Sequence, residues 1–235
     1  MEKTFRLICT GLMVLAMGCN FTACSSDDDD ENGGGVNGRK MLISEKCNDW
    51  RVDYKYDGQG RVIEEIYYQP DESYPGDDIY DKTTYKYETS SITSICHSDR
   101  YNYTYTTIYQ LNNGRIVKEN QDGDITTIEY DGNRIESLKD SYGNIYNVEW
   151  DGNNIKRIGN YTYTYSDIDA TKGINSYKYI DETLYRQGMY GECSINLMTA
   201  DGNTNYTYNI GQDGYVCEKT ESSAYENRTI IYEWK

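Results

Sequence analysis

Tyr54–Ile66 reads YKYDGQGRVIEEI: two tyrosines one residue apart, an Asp-Gly bend, then a second run that opens on an aliphatic residue. In an extended chain, residues i and i+2 share a face, so Tyr54 and Tyr56 point one way and Lys55 the other. Asp-Gly accepts the positive φ of the tight turns whose twist matches that of paired strands. The stretch predicts a β-hairpin with one aromatic face and one polar face.

Outward from it, the same design returns in Ile108–Asn120 (IYQLNNGRIVKEN), Ile128–Leu138 (IEYDGNRIESL), Val148–Ile158 (VEWDGNNIKRI) and Tyr206–Glu218 (YTYNIGQDGYVCE). This is a degenerate repeat of one supersecondary unit. Asp57-Gly58, Asn113-Gly114, Asp122-Gly123, Asp131-Gly132, Asp151-Gly152, Asp201-Gly202 and Asp213-Gly214 punctuate it, and the two prolines, Pro70 and Pro75, share the loop Gln69–Asp78. Short β-rich runs at even spacing predict an all-β fold, an antiparallel meander of successive β-hairpins forming a curled sheet or water-soluble barrel-like roll.

Composition says what such a sheet is packed with: 27 Tyr against 2 Phe and 3 Trp. Period-two sets such as Tyr85/Tyr87, Tyr101/Tyr103/Tyr105, Tyr161/Tyr163/Tyr165, Tyr177/Tyr179 and Tyr206/Tyr208 form aromatic stripes. Stripes on neighbouring strands stack as cross-strand pairs, each contributing about 0.2–1 kcal/mol. One feature departs from alternation. Ile63/Ile66, Ile92/Ile95, Ile135/Leu138 and Ile155/Ile158 are three apart, which requires either two buried faces or a bulge that shifts the register. Asp181–Asn196 (DETLYRQGMYGECSIN) breaks the hairpin rhythm and is expected to hold a short helix or structured loop, either a cap on the sheet edge or a specialised surface.

The N-terminus sets the compartment. Lys3 and Arg6 precede the apolar run Leu7–Met17, which is of signal-peptide length and short of the roughly 20 residues a membrane-spanning helix needs. Small residues then precede Cys19 and Cys24. Cys24, in FTACSSDDDD, is the better-matched lipidation site and Cys19 the alternative, since a cysteine followed by Ser and an acidic run resembles the lipoprotein export signals of Bacteroidetes. The expected organisation is a signal peptide at 1–23, a lipidated cysteine and flexible acidic, Gly-rich tether at 24–40, and a β domain at 41–235. The expected location is the outer membrane, lipid-anchored and exposed at the cell surface. Without residues 1–23 the chain carries 21 basic and 38 acidic side chains, a net charge of −17. That balance argues against nucleic acid as a partner and against attachment to anionic lipid through charge.

Chemistry-bearing motifs are scarce. His97, the sole histidine, lies beside Cys96 in CHSDR, and adjacent strand residues face opposite ways, so they do not make a dyad. Cys47, Cys96, Cys193 and Cys217 remain in the β domain without metal-ligand spacing. They read as buried or free thiols, and Cys193–Cys217 is the first pair to test for a bridge. No cofactor or metal is expected; Asp122-Gly123-Asp124 lacks the ligand alternation of a calcium loop.

YKYDGQGRV (Tyr54–Val62) is similar to the tyrosine-aspartate (YD) repeat of Rhs and teneurin-type proteins. The module as a whole resembles a family of Bacteroidetes lipoproteins of unknown function with a porin-like β fold, and GMYGECSINL (Gly188–Leu197) is similar to a segment of such proteins. The resemblance implies a curled antiparallel sheet of hairpins and supplies no catalytic residues. A membrane-spanning reading is not expected, because strands that alternate Tyr with Lys, Thr, Glu or Asn leave no continuous apolar exterior.

The function expected from these readings is a surface-tethered, non-enzymatic binding module whose ligand is a glycan or an envelope protein. Trp50, Tyr54, Tyr56, Trp150, Tyr161, Tyr163 and Tyr165 are the candidate stacking residues. The alternatives are a purely structural envelope spacer or shell and, behind it, a glycoside hydrolase using paired carboxylates.

Overall fold

The structure is a computed structural model that describes residues 40–69 and 79–235. The segment expected to be a signal peptide, Cys19 and Cys24, most of the expected tether and the proline-bearing loop lie outside the described residues.

Sixteen strands follow one another in a single antiparallel meander that closes on itself. They are β1 Leu42–Lys46, β2 Arg51–Tyr56, β3 Val62–Tyr68, β4 Ile79–Tyr87, β5 Ser91–Ser98, β6 Tyr103–Asn112, β7 Arg115–Gln121 and β8 Asp124–Asp131. The second half comprises β9 Arg134–Lys139, β10 Ile145–Asp151, β11 Asn154–Ile158, β12 Tyr161–Asp169, β13 Asn196–Asp201, β14 Asn205–Ile210, β15 Val216–Ser222 and β16 Asn227–Trp234. β1 pairs with β16, Glu45 opposite Tyr232, so the roll expected from sequence is a closed barrel. Met41 and Lys235 exchange backbone hydrogen bonds at 2.6 and 2.7 Å, placing both ends of the β domain at one rim. In a meander alternate turns share a rim. The β2–β3, β6–β7, β8–β9, β10–β11 and β14–β15 turns therefore lie at this proximal rim with the chain ends.

The two faces of the wall differ as the alternation requires. Val52, Tyr54, Tyr85, Ile92, Cys96, Tyr109, Ile128, Val148, Tyr163, Ile230 and Tyr232 are buried inside. Outside, Glu64 of β3 pairs with Lys55 of β2 at 2.5 Å and Lys82 of β4 at 2.6 Å, and Arg157 of β11 pairs with Glu149 of β10. Charges at this density on the outer wall suit water, since a lipid-facing barrel needs an apolar band about 25 Å tall.

Bulges explain two of the four aliphatic pairs set three apart. Where β8 meets β9, Glu129 pairs with Ser137 but Tyr130 with Ile135, so one extra residue brings Ile135 and Leu138 to the same inner face. The β10–β11 pair does the same for Ile155 and Ile158. In β3 the shift brings Val62 and Glu65 inward, opposite Tyr56 and Tyr54. β5 has no bulge: Ile92 is fully buried and Ile95 is 43% exposed on the outer face.

At seven of these shifts a strand carbonyl would be left short of a partner, and a neighbouring aromatic supplies one. Tyr56 Oη donates to Leu42 O at 2.7 Å, Tyr87 Oη to Val62 O at 2.8 Å and Tyr130 Oη to Ile116 O at 2.6 Å. Trp150 Nε1 donates to Ile135 O at 3.0 Å and Trp234 Nε1 to Val216 O at 2.7 Å. Tyr165 and Tyr208 do the same for Ile155 and Met198. The acceptor residues, Leu42, Val62, Ile116, Ile135, Ile155, Met198 and Val216, are almost fully buried and form an aliphatic belt near the proximal rim. Arg61, Arg115 and Arg134, each just after its turn, lie over the rings of Tyr87, Tyr130 and Trp150 at 4.5, 4.7 and 5.0 Å. The aromatic–turn–aliphatic repeat thus encodes a clasp that ties each of seven strands to the strand before it.

The irregular segment departs from its expected place. Residues 170–195, between β12 and β13, enter the barrel and fill it instead of capping an edge, because a closed barrel has no edge to cap. The segment holds the expected short helix, α1 Glu182–Arg186, whose N-cap Asp181 accepts from Leu184 N. Its buried Ile174, Tyr177, Ile180, Leu184, Tyr185 and Tyr190 join the wall residues in one core. Contacts reach inward-facing groups on opposite walls: Thr183 bonds Glu65 of β3, and Gln187 Oε1 accepts from Tyr87 of β4 at 3.0 Å. Asp181 accepts from Tyr109 of β6 at 2.8 Å, and Tyr163 Oη of β12 accepts from Lys178 N at 3.2 Å. Only a segment inside the barrel touches all four.

Candidate functional site

The plug divides the interior. Towards the proximal rim lie the clasps and the aliphatic belt, and the chain ends close the seam there. The distal rim carries the β1–β2, β5–β6, β7–β8, β9–β10, β11–β12, β13–β14 and β15–β16 turns. Aromatic rings that are only partly buried gather there. Trp50 stacks on Tyr67 with centroids 6.2 Å apart. Tyr101, Tyr103 and Tyr105 stack in series along the start of β6 at 6.2 and 6.1 Å. Across the barrel, Tyr146 of β10 stacks on Tyr179 of the plug at 4.2 Å, and Tyr161 of β12 meets Tyr179 edge-on at 5.8 Å.

The seven candidate stacking residues divide between the two ends. Tyr54 and Tyr163 are 5% exposed, Tyr54 donating to Glu45 at 2.8 Å and Tyr163 lying edge-on to Tyr177. Tyr56, Trp150 and Tyr165 are clasp residues of the proximal half, with their polar tips on bulge carbonyls. Trp50 and Tyr161 lie at the distal rim, Tyr161 39% exposed. Period-two spacing marks all seven as inward-facing but does not say at which depth they lie.

Near the distal rim a cleft of about 400 Å³ is lined by Asn144, Ile145, Tyr146, Gly159, Asn160 and Tyr179. β10 and β11, of seven and five residues, are short beside the ten of β6, so the plug reaches the rim here. Asp140 folds one wall of the cleft: its Oδ1 accepts from Tyr142 N and Asn144 N, and its Oδ2 from Asn144 Nδ2 at 2.8 Å and Tyr146 Oη at 3.0 Å. Gly159 (φ +56°) forms the other wall, and a Cβ there would stand 3.0 Å from the Tyr146 ring. Sequence reasoning passes over Tyr146, Asn144 and Asn160, and it takes Tyr177 and Tyr179 for a strand stripe, whereas both lie in the irregular plug, where Tyr179 turns to the left-handed region. The turn signal of Asp140–Asn144 is legible, but its meeting with the plug is a tertiary fact.

A second concentration of chemistry is sealed inside. Glu45 is fully buried, and burial, with Glu182 close by, pushes its carboxyl up to about 8 against the pull of Arg186, Tyr54 and Lys219. Burial raises Glu65 well above the carboxylate range, although Thr183 and Tyr85 donate to it. Glu182 pairs with Arg186 at 3.1 Å, and Lys219 with Glu221 at 2.8 Å. Glu65 ties the wall to the plug through Thr183, Glu182 pairs within the plug, and Glu45 and Glu221 bond groups of the wall; none of them lines the distal cleft.

Elsewhere, Cys96 is 1% exposed on the inner face, while His97 on the outer face bonds Thr104 at 2.8 Å and Asp99 at 3.0 Å. The four described cysteines form no disulfide with one another; Cys193 Sγ bonds Tyr185 O inside, and Cys217 is exposed. Among the described residues, no three His, Cys, Asp or Glu side chains converge as metal ligands would.

Comparison with solved structures finds a porin-like protein from Bacteroides uniformis, superposing with a TM-score of 0.60 at 17% identity over 83% of this chain and 97% of that one. At that identity the likeness is one of fold, a porin-like β barrel. No family model matches the sequence, and no curated protein matches it.

Proposed function

We propose that this chain is an envelope lipoprotein whose plugged, water-facing barrel is a binding module held to the outer membrane by its N-terminus and presenting its distal rim to a glycan. The observation that carries the reading is the polarity of the barrel. Met41 and Lys235 pair at one rim, so the tether leaves from there, and the partly exposed rings Trp50, Tyr101, Tyr103, Tyr105 and Tyr161 gather at the opposite rim. A module anchored at one end meets its ligand with the other. Aromatic faces suit the flat C–H surfaces of sugar rings, and an indole or phenol keeps a polar edge for hydroxyl groups. The porin-like neighbour supports an envelope barrel, and the charged outer wall favours a barrel tethered beside the membrane over one embedded in it.

The test has two arms. Protease shaving and surface labelling of cells producing the full chain should find it outside the outer membrane, and Cys24→Ala should release it from the membrane fraction. The purified chain should bind on an oligosaccharide array, and Trp50→Ala should weaken that binding about tenfold. A second reading, a purely structural shell, is favoured by the use of Tyr56, Trp150 and Tyr165 as clasps. A surface-exposed chain that binds no oligosaccharide would decide for it.

A further inference from the structure

The distal cleft between the β9–β10 and β11–β12 turns has the make-up of a discrete ligand site. We infer that it holds one neutral sugar ring of the glycan, with Tyr146 and Tyr179 as the stacking wall and Asn144 and Asn160 as the hydroxyl-reading groups; the inference rests on the glycan reading above and narrows it to a place and a class.

Three observations carry this. The first is strain. Tyr179 holds φ at +69°, in the left-handed region that a bulky side chain seldom enters, and no glycine relieves it. Such strain persists only where the surroundings hold it, and it gathers at ligand sites. Here it places the Tyr179 ring against Tyr146 at 4.2 Å and Tyr161 at 5.8 Å, at the cleft instead of inside the core.

The second is shape. Gly159 lets the backbone close against the Tyr146 ring, since a Cβ there would stand 3.0 Å from it, and the cleft of about 400 Å³ that results lies in the range of small-ligand sites, roughly 300–1,000 Å³.

The third is chemistry. Asn144 is held by Asp140 through its Nδ2, which turns its carbonyl into a fixed acceptor, and Asn160 is exposed and brings a carboxamide with both donor and acceptor capacity. The polar groups that line the cleft are carboxamides and phenols, and Asp140 stands behind them. Lys178, the neighbouring cation, lies over the Tyr161 ring at 5.7 Å. A ligand bearing negative charge would be repelled by the Asp140 carboxylate behind the Tyr146 hydroxyl and the Asn144 carboxamide. Phenol rings set among neutral hydrogen-bonding groups suit a neutral polyhydroxylated ring.

The experiment uses the purified full chain on an array of neutral and acidic oligosaccharides, followed by titration calorimetry with the tightest binder. The inference expects a neutral oligosaccharide whose affinity falls tenfold or more in Asn160→Ala and in Asn144→Ala, with the thermal midpoint of Asn160→Ala unchanged. Tyr179→Phe, which keeps the ring, should bind within threefold of the parent. Binding lost in Trp50→Ala but intact in both asparagine variants would overturn the cleft assignment and leave the glycan reading standing. A preference for acidic glycans would overturn the ligand class. An array without binding overturns the glycan reading and this inference with it.

Discussion

At the scale of single residues, the tyrosines do two jobs, the second of which a phenylalanine could not do. Their rings pack among the buried isoleucines, leucines and valines that make up most of the core, and their hydroxyls serve carbonyls that the bulges leave over. Tyr130 shows the cost of losing the second job. Tyr130→Phe keeps the ring under Arg115 but leaves Ile116 O without its 2.6 Å donor. An unsatisfied buried acceptor costs about 1–3 kcal/mol, so urea unfolding should show a loss of that size. Tyr225→Phe, at a position 99% exposed, should change nothing measurable. Glu45 supplies a pH signature. In the folded chain its carboxyl keeps its proton to about pH 8, whereas the unfolded group ionises near its ordinary value of 4.5. Between those values the folded state holds the extra proton. Its stabilising share is therefore complete below the unfolded value and is lost as pH rises through the folded one, at about 1.4 kcal/mol per pH unit. Burial of Glu65 acts in the same direction. Glu45→Gln keeps an acceptor for Tyr54 and removes one titrating group. Its stability should fall less steeply than the parent's between pH 5 and pH 8, and coincident profiles would show that Glu45 is ionised in the fold.

At the scale of elements, turns and plug are coupled through backbone contacts that leave no room for side chains. Gly191, with φ +84°, brings its α-carbon so close to the β8–β9 turn that a Cβ would stand 2.2 Å from Asn133 O, where Glu192 N also bonds at 2.8 Å. Gly191→Ala should cost on the order of 3 kcal/mol and raise hydrogen exchange in residues 180–195 before it does so in the wall. Gly58→Ala is the contrast, with nothing within 4 Å and no left-handed φ. In the Asp57–Arg61 turn the positive φ belongs to Gly60, while the Asp57 carboxylate holds the backbone of Gln59 and Arg61. The Asp-Gly signal located that turn correctly but misassigned the glycine that bends it. Bulges were legible only as a spacing of three between aliphatics. That spacing means a bulge in β9 and β11 and plain alternation in β5, because bulge formation depends on what the paired strand offers.

At the scale of the whole molecule, stability depends on closure. β16 joins β15 to β1 and contributes Ile230, Tyr232 and Trp234 to the core or its margin. Removing residues 227–235 would bare two strand edges at once, and free edges template association between chains. The truncated chain should lose its single cooperative unfolding transition and scatter light at concentrations where the parent stays clear. A truncated chain that remains monomeric and cooperative would mean that the plug alone holds the wall in a curve.

The amino-acid sequence determined the all-β meander by itself, because period-two tyrosines and Asp-Gly bends are local signals that each hairpin carries whole. It also determined which face of most strands turns inward, since alternation needs no knowledge of distant residues. What only the tertiary structure decided is that the sheet closes, that residues 170–195 enter it, and that Tyr179 meets Tyr146 at one rim while Trp150 and Tyr165 are spent on clasps at the other. The physical reason is that closure and depth depend on pairings between residues far apart in the chain, such as Leu42 with Trp234 and Thr183 with Glu65, to which no local pattern corresponds.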